Sequence, residues 1–212
     1  KSGKPPISVS GATGSEKNQL IYSFAENTGK KALVIASDEL SAKEIYADIS
    51  SMSGENVLFF RAKEYVFYDV DVSAREIEAE RINVIKNIKN ADFIVTSAAA
   101  IMQYTVKKEI FDFYCKTFSA GDIIDVSRLA ETLVETGYKR VSQVEGHGQF
   151  SIRGSIIDIF FPGDIYGTRI ELFDDEIDTI RSFDPLTQMS LENADKFEIY
   201  PARELIFDAE IK

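Results

Sequence analysis

Gly11-Ala-Thr-Gly-Ser-Glu-Lys-Asn18 has the outline of a phosphate-binding loop, and its reading decides what the first half of the chain is. A loop of the form G-x-x-x-x-G-K-[ST] uses glycines so that backbone N–H groups cradle phosphates, a lysine for the outer phosphates and a hydroxyl for Mg²⁺. Gly11, Gly14 and Lys17 are in place, but Glu16 stands at the last glycine and Asn18 at the hydroxyl. A carboxylate there lies beside the polyphosphate, where repulsion between like charges at about 4 Å costs on the order of 1–4 kcal/mol. Asn18 removes the metal-binding oxygen as well. The expectation is a P-loop scaffold that has lost ATP binding, with the function residing elsewhere.

Outward from the loop, Ile7-Ser-Val9 reads as a strand leading in, and Glu16 to Asn27 as a helix leading out, with Leu20, Ile21 and Phe24 on one face. Ala32–Ala36, Val57–Phe60 and Phe93–Thr96 are further short apolar runs. Between them, Ser41 caps a helix through Glu44 that carries Ile45, Ile49 and Met52 and stops at Gly54. Ala74 to Asn90 reads as a second intervening helix, striped by Ile77, Val84, Ile85 and Ile88. Strands alternating with helices predict an α/β domain with a parallel sheet and covering helices.

The pattern changes after about Phe118. Ser119-Ala-Gly-Asp122 is a turn, Val126 to Thr136 one helix closed by Gly137, and the rest reads as strands in hairpins, a smaller α+β domain with an antiparallel sheet. The expected division is 1–118, 119–205 and a return segment starting at 206–212. Phe150 and Ile152 share one parity while Ile157, Ile159 and Phe161 share the other, which a bulge near Gly154 would produce. In Arg169-Ile-Glu-Leu-Phe173 the aliphatic residues point inward, so Arg169, Glu171 and Phe173 face the other way. Phe173 then either covers a small local cluster or belongs to a protein-binding patch, since an aromatic among arginines has the composition of interface hot spots.

With 212 residues, 44% hydrophobic and 28% charged, the chain is a folded globular one. Its net charge of −11 argues against a broadly basic nucleic-acid surface. One cysteine, Cys115, excludes an internal disulfide and reads as a buried structural thiol. No apolar run is long enough for a bilayer, and a reducing cytoplasm is the expected location. Lys1 to Pro6 reads as a polar leader or a fragment boundary. His147 between two glycines reads as a turn residue rather than a metal ligand, and Asp174-Asp175-Glu176 as a hairpin turn rather than a cation site, so no metal is expected. Tyr65, Phe67 and Tyr68, set among acids, read as a packed loop rather than a base-stacking platform.

Glu145-Gly-His-Gly-Gln-Phe-Ser-Ile-Arg-Gly-Ser-Ile-Ile-Asp-Ile-Phe160, Arg169 to Asp178, Phe183-Asp-Pro-Leu-Thr-Gln188 and Ile199-Tyr-Pro-Ala202 resemble the second domain of the UvrB-like module. That module occurs in the excision-repair helicase UvrB and, without its ATPase, in the N-terminal part of the bacterial transcription-repair-coupling factors (Mfd). The degenerate loop and Ile101-Met-Gln103 favour the coupling-factor family; an intact loop would be expected of UvrB itself, which stays the alternative. The resemblance implies a degenerate helicase-like domain followed by a UvrA-binding domain. It further implies a fragment that is not an enzyme and needs no cofactor, with ATP and Mg²⁺ serving a DNA-translocating motor further along the full protein. UvrA would be the partner of this part, and RNA polymerase and DNA would be met by other domains. The family's UvrA-contacting positions fall on Arg153, Arg169 and Phe173. Glu171, orienting the pair across the strand face, and Arg181 and Arg203 are lesser candidates, and weak self-association through Phe173 is a further expectation. A third reading is a P-loop-like fold repurposed for an unrelated partner.

Overall fold

The computed structural model describes residues 6–54, 56–63 and 71–205, with the backbone alone of 71–75. In chain order the first half holds α1 (Gly14–Thr28), β1 (Ala32–Ala36), α2 (Glu39–Ser53), β2 (Val57–Phe60), α3 (Asp71–Asn87), β3 (Phe93–Ser97) and α4 (Ala98–Ile101). The second holds α5 (Lys108–Tyr114), β4 (Lys116–Ser119), α6 (Val126–Glu135), β5 (Lys139–Arg140), β6 (Gln149–Arg153), β7 (Ile156–Phe160), β8 (Gly167–Phe173), β9 (Glu176–Phe183), β10 (Ser190–Asn193) and β11 (Lys196–Ile199). By contact the chain separates into two compact units, one running up to Ala62 together with Asn87–Met102, the other Lys63–Lys86 together with Gln103 onward. Tyr65, Phe67, Tyr68 and the return segment from 206 lie outside the described residues.

The first unit is built on a parallel three-stranded sheet in the order β1-β3-β2, as alternating strands and helices predict. Its core joins Val34 and Ala36 of β1, Phe93 and Val95 of β3 and Val57 of β2 to Ala42, Ile45 and Ile49 of α2 and Ala25 of α1. Three expectations are corrected. Ile7 and Val9 are 82% and 63% exposed and form no strand, so the sheet has three strands among the described residues, not four. Helix α1 buries Asn18 and Ala25 and leaves Leu20 and Phe24 in solvent. Asn18 bonds across to Asp48 of α2 at 2.7 Å, and this polar anchor rotates the helix away from the stripe its apolar residues suggest. Helix α2 starts before Ser41: Asp38 is its N-cap and accepts the Ser41 N–H at 2.8 Å. That bond, with the Ser37 and Ser41 hydroxyls, holds the Asp38 carboxyl below its ordinary range.

The second unit carries a six-stranded sheet ordered β10-β9-β8-β7-β6-β5, antiparallel except at β5–β6, and a separate antiparallel pair of β4 and β11. One sheet face is apolar: Phe150, Ile157, Ile159, Ile170, Leu172, Ile177 and Ile180 pack with Leu129 and Leu133 of α6, Phe111 of α5 and Ile82 of α3. Each such side chain contributes about 1.5–3 kcal/mol when removed from water. Helix α6 begins at Asp125, whose carboxylate accepts the Ser127 and Arg128 N–H groups.

The parity change across Arg153-Gly-Ser155 does not come from a bulge. Arg153 faces Ile156 across a two-residue hairpin loop, and in such a hairpin paired residues necessarily have numbers of opposite parity. Gly154, first in the loop, has a φ of 62°, where a side chain is strained. An irregularity lies between β8 and β9 at Glu171/Leu172, and it lets Ile177 and Ile180, three apart, both reach the core; a second lies between β9 and β10 at Ser190/Asn193. Asp174-Asp175 is the next two-residue loop, with Asp174 at φ 61°. Cys115 is half-buried at the end of α5 rather than buried. Among the described residues no helix is long and apolar enough to cross a membrane.

Candidate functional site

Strand β8 alternates as its sequence demands. Ile170 and Leu172 are buried in the core, while Arg169, Glu171 and Phe173 take the opposite face, with Phe173 78% exposed at the strand end. On that face the register sets four residues in a row across four strands: Ser151 of β6 opposite Asp158 of β7, Asp158 opposite Arg169, and Arg169 opposite Arg181 of β9. Arg153, two residues beyond Ser151, shares the face.

Asp158 gathers the arginines. Its side chain is fully buried, and its Oδ1 accepts Arg169 Nε–H at 2.7 Å while Oδ2 accepts Arg169 Nη2 at 3.0 Å and Arg153 Nη2 at 2.6 Å. The Arg169 pair is the two-bond fork that the planar guanidinium makes with a carboxylate. Arg169 also donates from Nη1 to the Gln188 carbonyl at 3.1 Å and the Ser190 hydroxyl at 3.3 Å, and lies 4.8 Å over the Phe183 ring. Asp158 raises the Arg169 pKa further, against the opposing effect of partial burial. Arg153 keeps 47% of its side chain exposed against 13% for Arg169, so Arg153 offers free donors where Arg169 is mostly held. Arg181 Nη1 stands 3.8 Å from Glu171 Oε1.

The structure thus brings Arg153 and Arg169 together through one carboxylate, places Glu171 and Arg181 beside them, and leaves Phe173 exposed on the same strand face. Sequence reasoning gave the orienting role to Glu171; Asp158 performs it. The signal was present, because Asp158 interrupts an apolar strand at a position of opposite parity to Ile157 and Ile159, where it must face the arginines. Phe183 and Gln188 were equally missed as supports. Six buried side-chain polar atoms lack a partner among the described residues, and four of them, Ser151 Oγ, Thr179 Oγ1, Arg181 Nε and Gln188 Oε1, belong to this face or the loop bordering it. Arg203 lies elsewhere, its stem over Gly137.

His147 donates from Nε2 to the Asp164 carbonyl at 2.8 Å and packs on Phe160, the part of a turn residue. In the first unit, Gly11 (φ 91°) and Gly14 (φ 51°) bend the chain into α1, Glu16 and Lys17 are exposed in its first turns, and the Asn18 side chain is turned onto Asp48. The strand that should precede a phosphate-binding loop is absent among the described residues.

Residues 117–205 match the UvrB interaction domain family. Over 207 residues the chain is 34% identical to the transcription-repair-coupling factor of Bacillus subtilis, covering 96% of this chain and 18% of that protein. It is 32% identical over 212 residues to the UvrABC system protein B of Thermosipho africanus, covering 92% of this chain and 32% of that one. The coupling factor of Haemophilus influenzae is 28% identical over 190 residues, covering 89% and 17%. The chain therefore spans less than a third of the length of these relatives, and the polar sheet face described above falls wholly within the stretch that matches the UvrB interaction domain family.

Proposed function

We propose that this chain, with its UvrB interaction domain, is a recruiting module without catalysis of its own: the UvrB-like part of a transcription-repair-coupling factor, which brings UvrA to RNA polymerase stalled at a lesion in transcription-coupled nucleotide excision repair. The observation that carries the reading is the sheet face on which Arg153, Arg169 and exposed Phe173 stand together. An exposed aromatic beside forked cations matches the composition of binding hot spots, and acidic groups on UvrA are the complementary chemistry. A degenerate, helicase-like P-loop domain would serve as platform. Glu16 beside the loop and Asn18 engaged with Asp48 support a site that no longer holds ATP.

The test is a titration of this chain against UvrA, with an Arg169→Ala/Phe173→Ala variant alongside. Loss of binding in the variant is expected; equal affinity of the two would sink the reading. A fragment of UvrB itself is the second reading, favoured by the 32% identity to a UvrABC system protein B. The two part at position 17: ATP binding that disappears in Lys17→Ala would favour UvrB, and its absence in the unaltered chain the coupling factor.

A further inference from the structure

We infer that Asp158 is the positioning residue of this docking face: it holds Arg153 and Arg169 in one arrangement before any partner arrives, so recognition depends on a carboxylate that the partner never touches. The inference rests on the UvrA reading above and deepens it. Asp158 is fully buried and accepts three hydrogen bonds from two arginines that reach it from neighbouring strands. The hairpin at Gly154 delivers Arg153 from β6, and the β7–β8 register sets Asp158 directly opposite Arg169. No other carboxylate of the face substitutes for it, since Glu171 stands 3.8 Å from Arg181 and is half-exposed.

The physical consequence concerns order. Arginine is a flexible side chain, and fixing its rotamers only upon docking would weaken association. With Asp158 beneath them, both guanidinium groups are already placed, and the donors left outward are chiefly those of Arg153, 47% exposed. Two cations against one carboxylate leave a net positive charge, so the cluster stays complementary to an acidic partner while each arginine is held. Phe183 under Arg169 and the Gln188 carbonyl beside it complete the mould.

The experiment is the affinity of Asp158→Asn for UvrA, alone and combined with Arg169→Ala, with folding checked by thermal melting. Asn keeps the shape and removes the charge. The expected result is a loss of roughly tenfold for Asp158→Asn in the otherwise unaltered chain and a smaller one, about threefold, on top of Arg169→Ala, because the part of its effect that runs through Arg169 is then already lost and only its hold on Arg153 remains. Unchanged affinity in Asp158→Asn, or losses that simply multiply, would overturn the inference. Should the unaltered chain not bind UvrA, the functional reading fails and the positioning is read in the free protein from the Arg169 Nε–H resonance. A signal protected from solvent exchange that vanishes in Asp158→Asn supports it, and one that is unaffected overturns it.

Discussion

Phe173 is a residue whose exposure and chemistry disagree. A phenylalanine with 78% of its surface in water contributes little to folding, because its apolar area is not removed from solvent. Phe173→Ala should therefore leave folding stability within about 0.5 kcal/mol of the unaltered chain, the range of surface substitutions. The same change should weaken UvrA binding by about 2 kcal/mol, the size of a hot spot. Denaturant melts and the UvrA titration check the two halves, and a large fall in stability would show that Phe173 covers a local cluster instead. Arg169 is the opposite case, half in the fold and half in the site: Asp158, Gln188, Ser190 and Phe183 hold it, and little of it remains for a partner.

At the scale of elements, β8 and β9 couple the core to the arginine-bearing face. Gly167 pairs with Phe183, and a Cβ at Gly167 would stand 2.2 Å from that ring. The glycine is there because the ring lies across it, and the ring in turn lies under Arg169. Gly167→Ala should destabilise the second unit by about 1–3 kcal/mol through overpacking. It should also weaken UvrA binding although position 167 carries no docking side chain, a pairing of effects that melts and titrations on one sample would reveal. Much of this element scale was legible beforehand. The alternation in Arg169–Phe173 put the correct three residues outward, since the pleat fixes that period whatever the strand packs against. The parity switch at Gly154 is visible in the sequence, but number parity alone does not distinguish a bulged strand from the two-residue hairpin that the structure holds there.

At the scale of the whole molecule, two features of the second unit join segments far apart in the chain. Arg81 and Glu204 are both fully buried, with Nε and Nη2 donating to the carboxylate at 2.5 and 3.0 Å, and Lys63 stands 3.3 Å from the same group. Glu204→Ala should cost about 3–5 kcal/mol in denaturant unfolding, because it removes a fully buried carboxylate that accepts two hydrogen bonds from the buried Arg81 guanidinium. Nearby in the core, Tyr138 donates to the Tyr200 carbonyl and Tyr200 to the Pro162 carbonyl. Burial, first among the causes, pushes both phenols above their ordinary pKa of 10.0. In the unfolded chain they ionise near pH 10 while the folded state keeps its protons, so stability is full below about pH 10 and falls as pH rises beyond it. Alkaline denaturation followed by circular dichroism should show that decline, and Tyr138→Phe should make it shallower.

By itself the sequence determined the mixed α/β build with parallel and antiparallel sheets and the outward face of β8. These follow from residue identity and from side-chain periods that local covalent geometry imposes. Only the tertiary structure decided which helix faces are buried, as when Asn18 turned α1 and when Ile82 of α3 entered the core of the antiparallel sheet. It also decided that Asp158 lies beneath Arg153 and Arg169, and that Arg81 meets Glu204 across 123 residues. Such pairings depend on strand register and on long-range packing, which join residues that no local pattern relates.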